Sequence, residues 1–338
     1  MHYLSSGNGR YPLKWSDGVF RIRDFRPMPP RPKDLGTVSG MGDPAGDPLA
    51  TMRARFGDGV DAWLSGLTPW IDELVDRWEL ALSEPLAGAN VGYTVAATRG
   101  GSEPVVLKLT YPDGWFPEEV AALASWDGDG AIELIDHDPR GAMLLERAVP
   151  GTPLRDEADE ERAMLLAADV VERLWIGGPA TITSVGDEVG RWVSMFRDRN
   201  RDLGGPVPRD LADEAVALMG ELVASPREEL LLHGNLQLGN VLAAEREPWL
   251  AIEPRPLVGD REFDVVPLLL DVEHDRLMRT LQRRFDLLAE GLSCDPERLR
   301  AWSIAVATDD ALAAGERRGR EALQRQLEIV ARVRTLRA

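Results

Sequence analysis

The chain has 338 residues, of which 44% are apolar, and a formal net charge of −18; that length suits two domains, and so acidic a surface disfavours nucleic acid and anionic membrane as partners. A single cysteine, Cys294, excludes an internal disulfide and fits the cytoplasm. Four histidines (His2, His137, His233, His274) without metal-ligand spacing argue against structural zinc.

The start of the chain lacks the apolar stretch of a signal peptide, and no apolar run reaches the length of a membrane helix. Residues 1–48 are set apart by "RIRDFRPMPPRPKDLG", which is proline-rich and locally basic. Prolines fix φ and remove donors, so an extended tail is expected there, free or laid against a protein partner or the acidic body. A helix is expected from Thr68 as cap and Pro69 as first residue, with Trp70, Ile71, Leu74, Val75 and Trp78 on one face. Next, "EPLAGANVGYTVAATRGGSEPVVLKLT" reads as two strands turning at "RGGS", and "FPEEVAALASW" as a helix. "AIELIDHDPRGAMLLERA" adds two strands turning at "DPRG". From Pro150 the pattern becomes helical, in "DEADEERAMLLAADVVERLW" and "PRDLADEAVALMGELVAS" and again from Val265 to the end. A sheet-rich portion over 49–147 thus precedes a helical portion over 148–338.

Chemistry concentrates in "LLLHGNLQLGNVL" and "PWLAIEPRPLVGDREFD". Kinase-type loops run His, any residue, Asp, four residues, Asn; the Asp accepts the proton of the attacking hydroxyl and the Asn holds a metal ion. Here the frame is His233, Gly234, Asn235, then Asn240, and an acidic position, Glu253, follows thirteen residues later. Upstream, Lys108 lies late in a strand and Glu119 in the next helix, the order in which kinases place their phosphate lysine and its glutamate partner. Gly88 and Gly92 stand where a turn would cover phosphates, a signal that an ordinary hairpin also gives.

These segments resemble the aminoglycoside phosphotransferase superfamily, in the branch of streptomycin 6-kinases and aminoglycoside/hydroxyurea antibiotic resistance kinases. The branch pattern is HGDLHPGNVL for the loop and PWLAIDPKPLVGDPAYD for the metal segment. "DAWLSGLTPWIDELVDRW", "VVLKLT", "EEVAAL", "AMLLERAVPGTPL" and "ERLRAW" extend the likeness over about residues 53 to 310. The resemblance implies an α+β, two-lobed, protein-kinase-like fold with a small antiparallel sheet lobe and a larger helical lobe. It implies that Lys108 meets nucleotide phosphates with Glu119 holding it, and that the segment 145–148, with Glu146 and Arg147, is the hinge beside adenine. It makes Asn240 and Glu253 the metal positions and Asn235 the proton-acceptor position, with His233 and Gln237 in the same loop.

Four departures fall at the chemistry: Asn235 and Glu253 stand where the branch has Asp, Gln237 where it has His, and Leu238 where it has Pro. Arg255 stands for Lys and brings a planar fork. An amide accepts no proton near neutral pH. Glu reaches further than Asp, and Mg²⁺ demands near-octahedral geometry. The sequence therefore implies a pseudokinase or a repurposed enzyme of natural-product metabolism, with ATP and Mg²⁺ binding weak or lost. The alternative is an active phosphotransferase acting on a hydroxyl of a polar, cationic small molecule. Asp260 and Asp264 read as residues that cap and brace the loop.

Overall fold

Val60, Trp63, Leu67, Ile71, Leu74 and Trp78 recur at helical spacing and are all buried. They form one face of helix α1 (Gly59–Trp78), and that face covers a sheet. The helix begins before the expected Thr68–Pro69 start. Pro69 lies inside it, and Thr68 is buried rather than capping. The apolar face running back to Val60 outweighs the backbone bond that an interior proline removes. The computed structural model describes residues 15–16, 19–20, 59–86, 92–111 and 114–338. The proline-rich stretch of the N-terminal tail and Gly88 lie outside the described residues.

The chain divides into two compact units, and its last passage from one to the other falls between Arg147 and Ala148. In the first unit, β1 (Leu80–Pro85), β2 (Gly92–Arg99), β3 (Glu103–Thr110), β4 (Leu134–Asp138) and β5 (Ala142–Glu146) form an antiparallel sheet in the order β1-β2-β3-β5-β4. The "RGGS" and "DPRG" turns fall where the sequence puts them. Strand β1, added ahead of the expected pair, was hidden by its mixed composition, "LALSEP". Val105, Leu107 and Leu109 alternate along β3 and pack with α1, each side chain contributing about 1.5–3 kcal/mol by burial. Lys108 has the opposite parity, so it leaves the sheet on the face away from α1, paired in register with Thr94 and Met143.

Helix α2 (Phe116–Trp126) lies between strands in sequence, yet from Pro117 it groups with the second unit. Trp126 Nε1 donates to Leu174 O at 2.8 Å, and Thr183 Oγ1 donates to Glu118 Oε1 at 2.7 Å. The second unit continues with α3 (Glu160–Leu174), α4 (Val185–Asp202), α5 (Arg209–Ala224), α6 (Arg261–Leu270), α7 (His274–Gly291), α8 (Pro296–Arg318) and α9 (Arg320–Val333). Asp159, Ser184 and Asp295 cap α3, α4 and α8 through their side chains. Helix α8 is buried almost all round from Leu299 to Ala314, as befits the central helix of a bundle. Trp302 of this helix meets Phe263 edge-on at a centroid distance of 5.1 Å, and Phe263 in turn packs at a tilt against Trp192 at 5.9 Å. Among the described residues no helix is long and apolar enough to cross a membrane.

Candidate functional site

Two short antiparallel strand pairs of the second unit frame the loop. Strand β6 (Leu230–Leu232) pairs antiparallel with β9 (Leu257–Gly259), and β7 (Val241–Ala243) with β8 (Trp249–Ala251). The loop from His233 to Asn240 joins β6 to β7 and ends in a 3₁₀ turn, Leu238–Asn240. Because β6 leads in and β7 leads out, and their partners β9 and β8 flank residues 252–256, that segment lies alongside. Ile252 N donates to Asn240 O at 2.8 Å and Arg255 N to His233 O at 2.9 Å. Gly234 makes this approach feasible: its φ is +68°, and a Cβ there would strike the Arg255 carbonyl oxygen.

Asp264, in the first turn of α6, holds the loop from below. It is fully buried and accepts from His233 N at 3.0 Å, Gly234 N at 2.6 Å and Trp175 Nε1 at 3.1 Å. Burial raises its pKa, and the three N–H donors oppose that rise. Asp260 occupies the N-cap position of α6, but its side chain does not cap. It accepts instead from Arg227 N and from the Arg298 guanidinium, with which it forms a buried ion pair. Both aspartates therefore brace the loop's surroundings, and neither presents a carboxylate for proton transfer.

His233 is also fully buried, and burial pulls its pKa from 6.5 down to about 4. Its Nε2 donates to Ile252 O at 3.1 Å, its Nδ1 accepts from Asn235 N at 3.3 Å, and its ring stacks on Trp126 at 6.2 Å. Those partners require one neutral tautomer, protonated on Nε2. Gln237 is buried and gives its carbonyl to Asn240 N at 2.8 Å.

Within the loop, Asn235 Nδ2 donates to the backbone carbonyl of Glu253 at 3.0 Å, and Asn235 O accepts from Asn240 Nδ2 at 2.8 Å. The structure thus brings Asn235, Asn240 and Glu253 together. Glu253 holds φ at +56°, in the left-handed region, where Asp and Asn are better tolerated than Glu. With its Nδ2 engaged, Asn240 has its Oδ1 left over, and its backbone lies beside the segment that carries Glu253. An amide oxygen and a carboxylate are donor types that suit Mg²⁺, which is usually held by one or two carboxylates together with substrate phosphates and water. No cluster of three or more His, Cys, Asp or Glu among the described residues is placed to hold a metal by itself.

Of the other sequence-predicted residues, Lys108 and Gly92 lie in the first unit, on β3 and at the head of β2. Glu146 ends β5, and Arg147 N donates to Pro104 O at 3.4 Å. Glu119 is buried on α2 and belongs to the second unit. Sequence reasoning missed Asp271, whose Oδ2 accepts from Leu238 N at 2.7 Å, and Arg155, whose guanidinium occupies the space a Cβ on Gly239 would fill. Neither has a spacing signal, because each reaches the loop from a distant segment.

Residues 77–318 match the family described as aminoglycoside/hydroxyurea antibiotic resistance kinase. The chain belongs to this family. Within it, the chain is 36% identical over 274 residues to a streptomycin 6-kinase of Streptomyces glaucescens, covering 79% of this chain and 89% of that protein. It is 32% identical over 269 residues to a hydroxyurea phosphotransferase of Kitasatospora aureofaciens, covering 78% of each. Among solved structures, the aminoglycoside phosphotransferase APH(4)-Ia aligns with a TM-score of 0.56 at 16% identity, over 78% of this chain and 99% of that one. The choline kinase LicA of Streptococcus pneumoniae aligns with a TM-score of 0.56 at 14% identity, over 78% and 99%. These likenesses establish the α+β, two-lobed, kinase-like fold of the family.

Proposed function

We propose that this family member binds a nucleotide and a polar small molecule but has lost most of its phosphoryl-transfer capacity, as a pseudokinase or a repurposed enzyme of natural-product metabolism. The observation that carries this reading is the bond from Asn235 Nδ2 to the Glu253 carbonyl. It fixes the amide with nitrogen toward the protein and leaves Oδ1 to accept a hydrogen bond from a hydroxyl. That oxygen can orient an acceptor but cannot take its proton. The nearby carboxylates offer no substitute, since Asp264, Asp260 and Asp271 each accept from N–H donors of the loop or its supports. Losing general-base help costs about 10² to 10⁴ in rate. Lys108 would contact the phosphates, and Asn240 and Glu253 would hold Mg²⁺, which when bound neutralises charge on the transferring group.

A second reading, an active phosphotransferase, draws on the family relationship and on the proximity of Asn240 to the Glu253 segment. In that case positioning by Asn235 Oδ1 would be sufficient for turnover. The discriminating assay incubates the unmodified protein with ATP–Mg²⁺ and streptomycin, hydroxyurea or neutral polyols, and seeks an added phosphate by mass spectrometry. Transfer near background, with ATP still raising the melting temperature, is expected. Robust phosphorylation of any acceptor would overturn the pseudokinase reading.

A further inference from the structure

We propose that Arg155 forms an oxyanion subsite on the catalytic loop, which takes a phosphate group brought next to Asn240. The subsite rests on the nucleotide-binding reading above, but its chemistry can be tested without a nucleotide.

The backbone fixes where Arg155 stands. Gly151 N donates to Ala243 O at 3.0 Å, Ala243 N donates to Thr152 O at 2.9 Å, and Pro153 bridges antiparallel to Leu242. Extending that register sets the 3₁₀ turn Leu154–Asp156 against the 3₁₀ turn Leu238–Asn240. The Arg155 guanidinium then lies on Gly239, where a Cβ would overlap it. Gly239 has no left-handed φ, so its missing side chain serves this seat rather than a backbone turn.

Charge favours an anion at this seat. The chain carries −18, and many arginines of the second unit are neutralised by acids: Arg284 and Arg276 pair with Glu160, Arg298 with Asp260, and Arg199 with Asp309 and Glu316. Arg155 is exposed and makes no hydrogen bond or ion pair among the described residues. Asp271 acts on it only at longer range, with one oxygen committed to Leu238 N. With an amide rather than a carboxylate at position 235, no charge on that side chain repels an arriving anion. A planar guanidinium offers paired N–H donors that match phosphate oxygens. The phosphate could come from the end of a nucleotide chain or from a separate phosphate-bearing ligand, and the arms of the experiment separate these sources.

The test is calorimetric titration of the full chain, at matched ionic strength, with ATP–Mg²⁺, ADP–Mg²⁺ and inorganic pyrophosphate. Arg155→Ala is expected to weaken a phosphate ligand by about tenfold or more, the worth of one charge-assisted hydrogen bond. A loss for ATP but not for ADP would assign the terminal phosphate; a loss for pyrophosphate alone would assign a separate ligand. Gly239→Ala should mimic Arg155→Ala by displacing the guanidinium, and should add nothing in the Arg155→Ala background. Arg162→Ala, which removes an exposed charge of α3 that pairs with Glu157, should leave all three affinities unchanged. Wild-type binding of pyrophosphate but neither nucleotide, abolished by Arg155→Ala, would keep the subsite and sink the nucleotide reading. Equal affinities of wild type and Arg155→Ala for every probe would overturn the subsite. So would additive effects of the two substitutions, or a wild type that binds none of the probes.

Discussion

Asn235 is more than an absent acid. Its Nδ2 donates to the Glu253 carbonyl, so the side chain ties the loop to the segment between β8 and β9. An Asp placed there by Asn235→Asp would set carboxylate oxygen against carbonyl oxygen. That change loses a hydrogen bond and adds repulsion, a cost of about 1–3 kcal/mol. Repulsion disfavours the charged form, so the folded-state pKa of the new carboxyl would lie above its ordinary value. Its contribution to stability would then be complete below about pH 4, where a protonated acid can still donate, and would be lost as pH rises through the folded pKa. Urea melts of wild type and Asn235→Asp at low and neutral pH should therefore diverge as pH rises. A variant as stable as wild type at neutral pH would mean that the amide is not held by Glu253. The substitution should also restore little turnover, since the introduced carboxylate is repelled from the place where the loop is organised. The sequence announced the Asn-for-Asp change plainly. It could not announce the bond to a carbonyl eighteen residues away, because that contact exists only once the two strand pairs align the segments.

The loop as an element is held by buried polar groups whose protonation states must be right. His233 donates from Nε2 and accepts at Nδ1, and burial holds its pKa near 4 against the ordinary 6.5. A depressed folded-state pKa contributes stability that is present above the unfolded pKa and is lost as pH falls toward the folded value. His233 alone should therefore destabilise the second unit by about 3 kcal/mol as pH drops from 6.5 to 4. Unfolding free energies across that window should fall in wild type and fall less steeply in His233→Gln, even though the variant starts less stable. Parallel slopes would show that His233 is protonated in the folded loop without penalty. The elements around the loop were legible to different degrees. Strands β2 to β5 and helices α3 and α5 follow apolar periodicity and turn residues that act locally. The start of α1 was misplaced because Thr68–Pro69 carries a strong local signal, which a longer apolar face overrides. The attachment of α2 to the second unit depends on Trp126 reaching Leu174 and His233, a tertiary choice with no local trace. Asp264 was readable as a brace, whereas the polarity of its three donors was not.

On the scale of the whole molecule, 57 acidic side chains face 39 lysines and arginines, and the resulting −18 sets the conditions under which any phosphate ligand arrives. Acting over the Debye length, this charge repels an anion; acting at contact, Arg155 would attract one if it forms the proposed subsite. The two effects respond oppositely to salt. Screening shortens the reach of the field from about 30 Å at 0.01 M to about 10 Å at 0.1 M ionic strength, while a contact at hydrogen-bond distance is weakened less. The association rate of an ATP analogue should accordingly rise by about two- to tenfold over that interval, as the long-range repulsion is screened. Removing a local cation with Arg155→Ala should lower the rate throughout and make its rise with salt steeper. Stopped-flow fluorescence at several salt concentrations measures both slopes. An association rate that falls with salt in the wild type would mean that the cations near the loop dominate the approach, and that the acidic surface is arranged where an arriving nucleotide does not feel it.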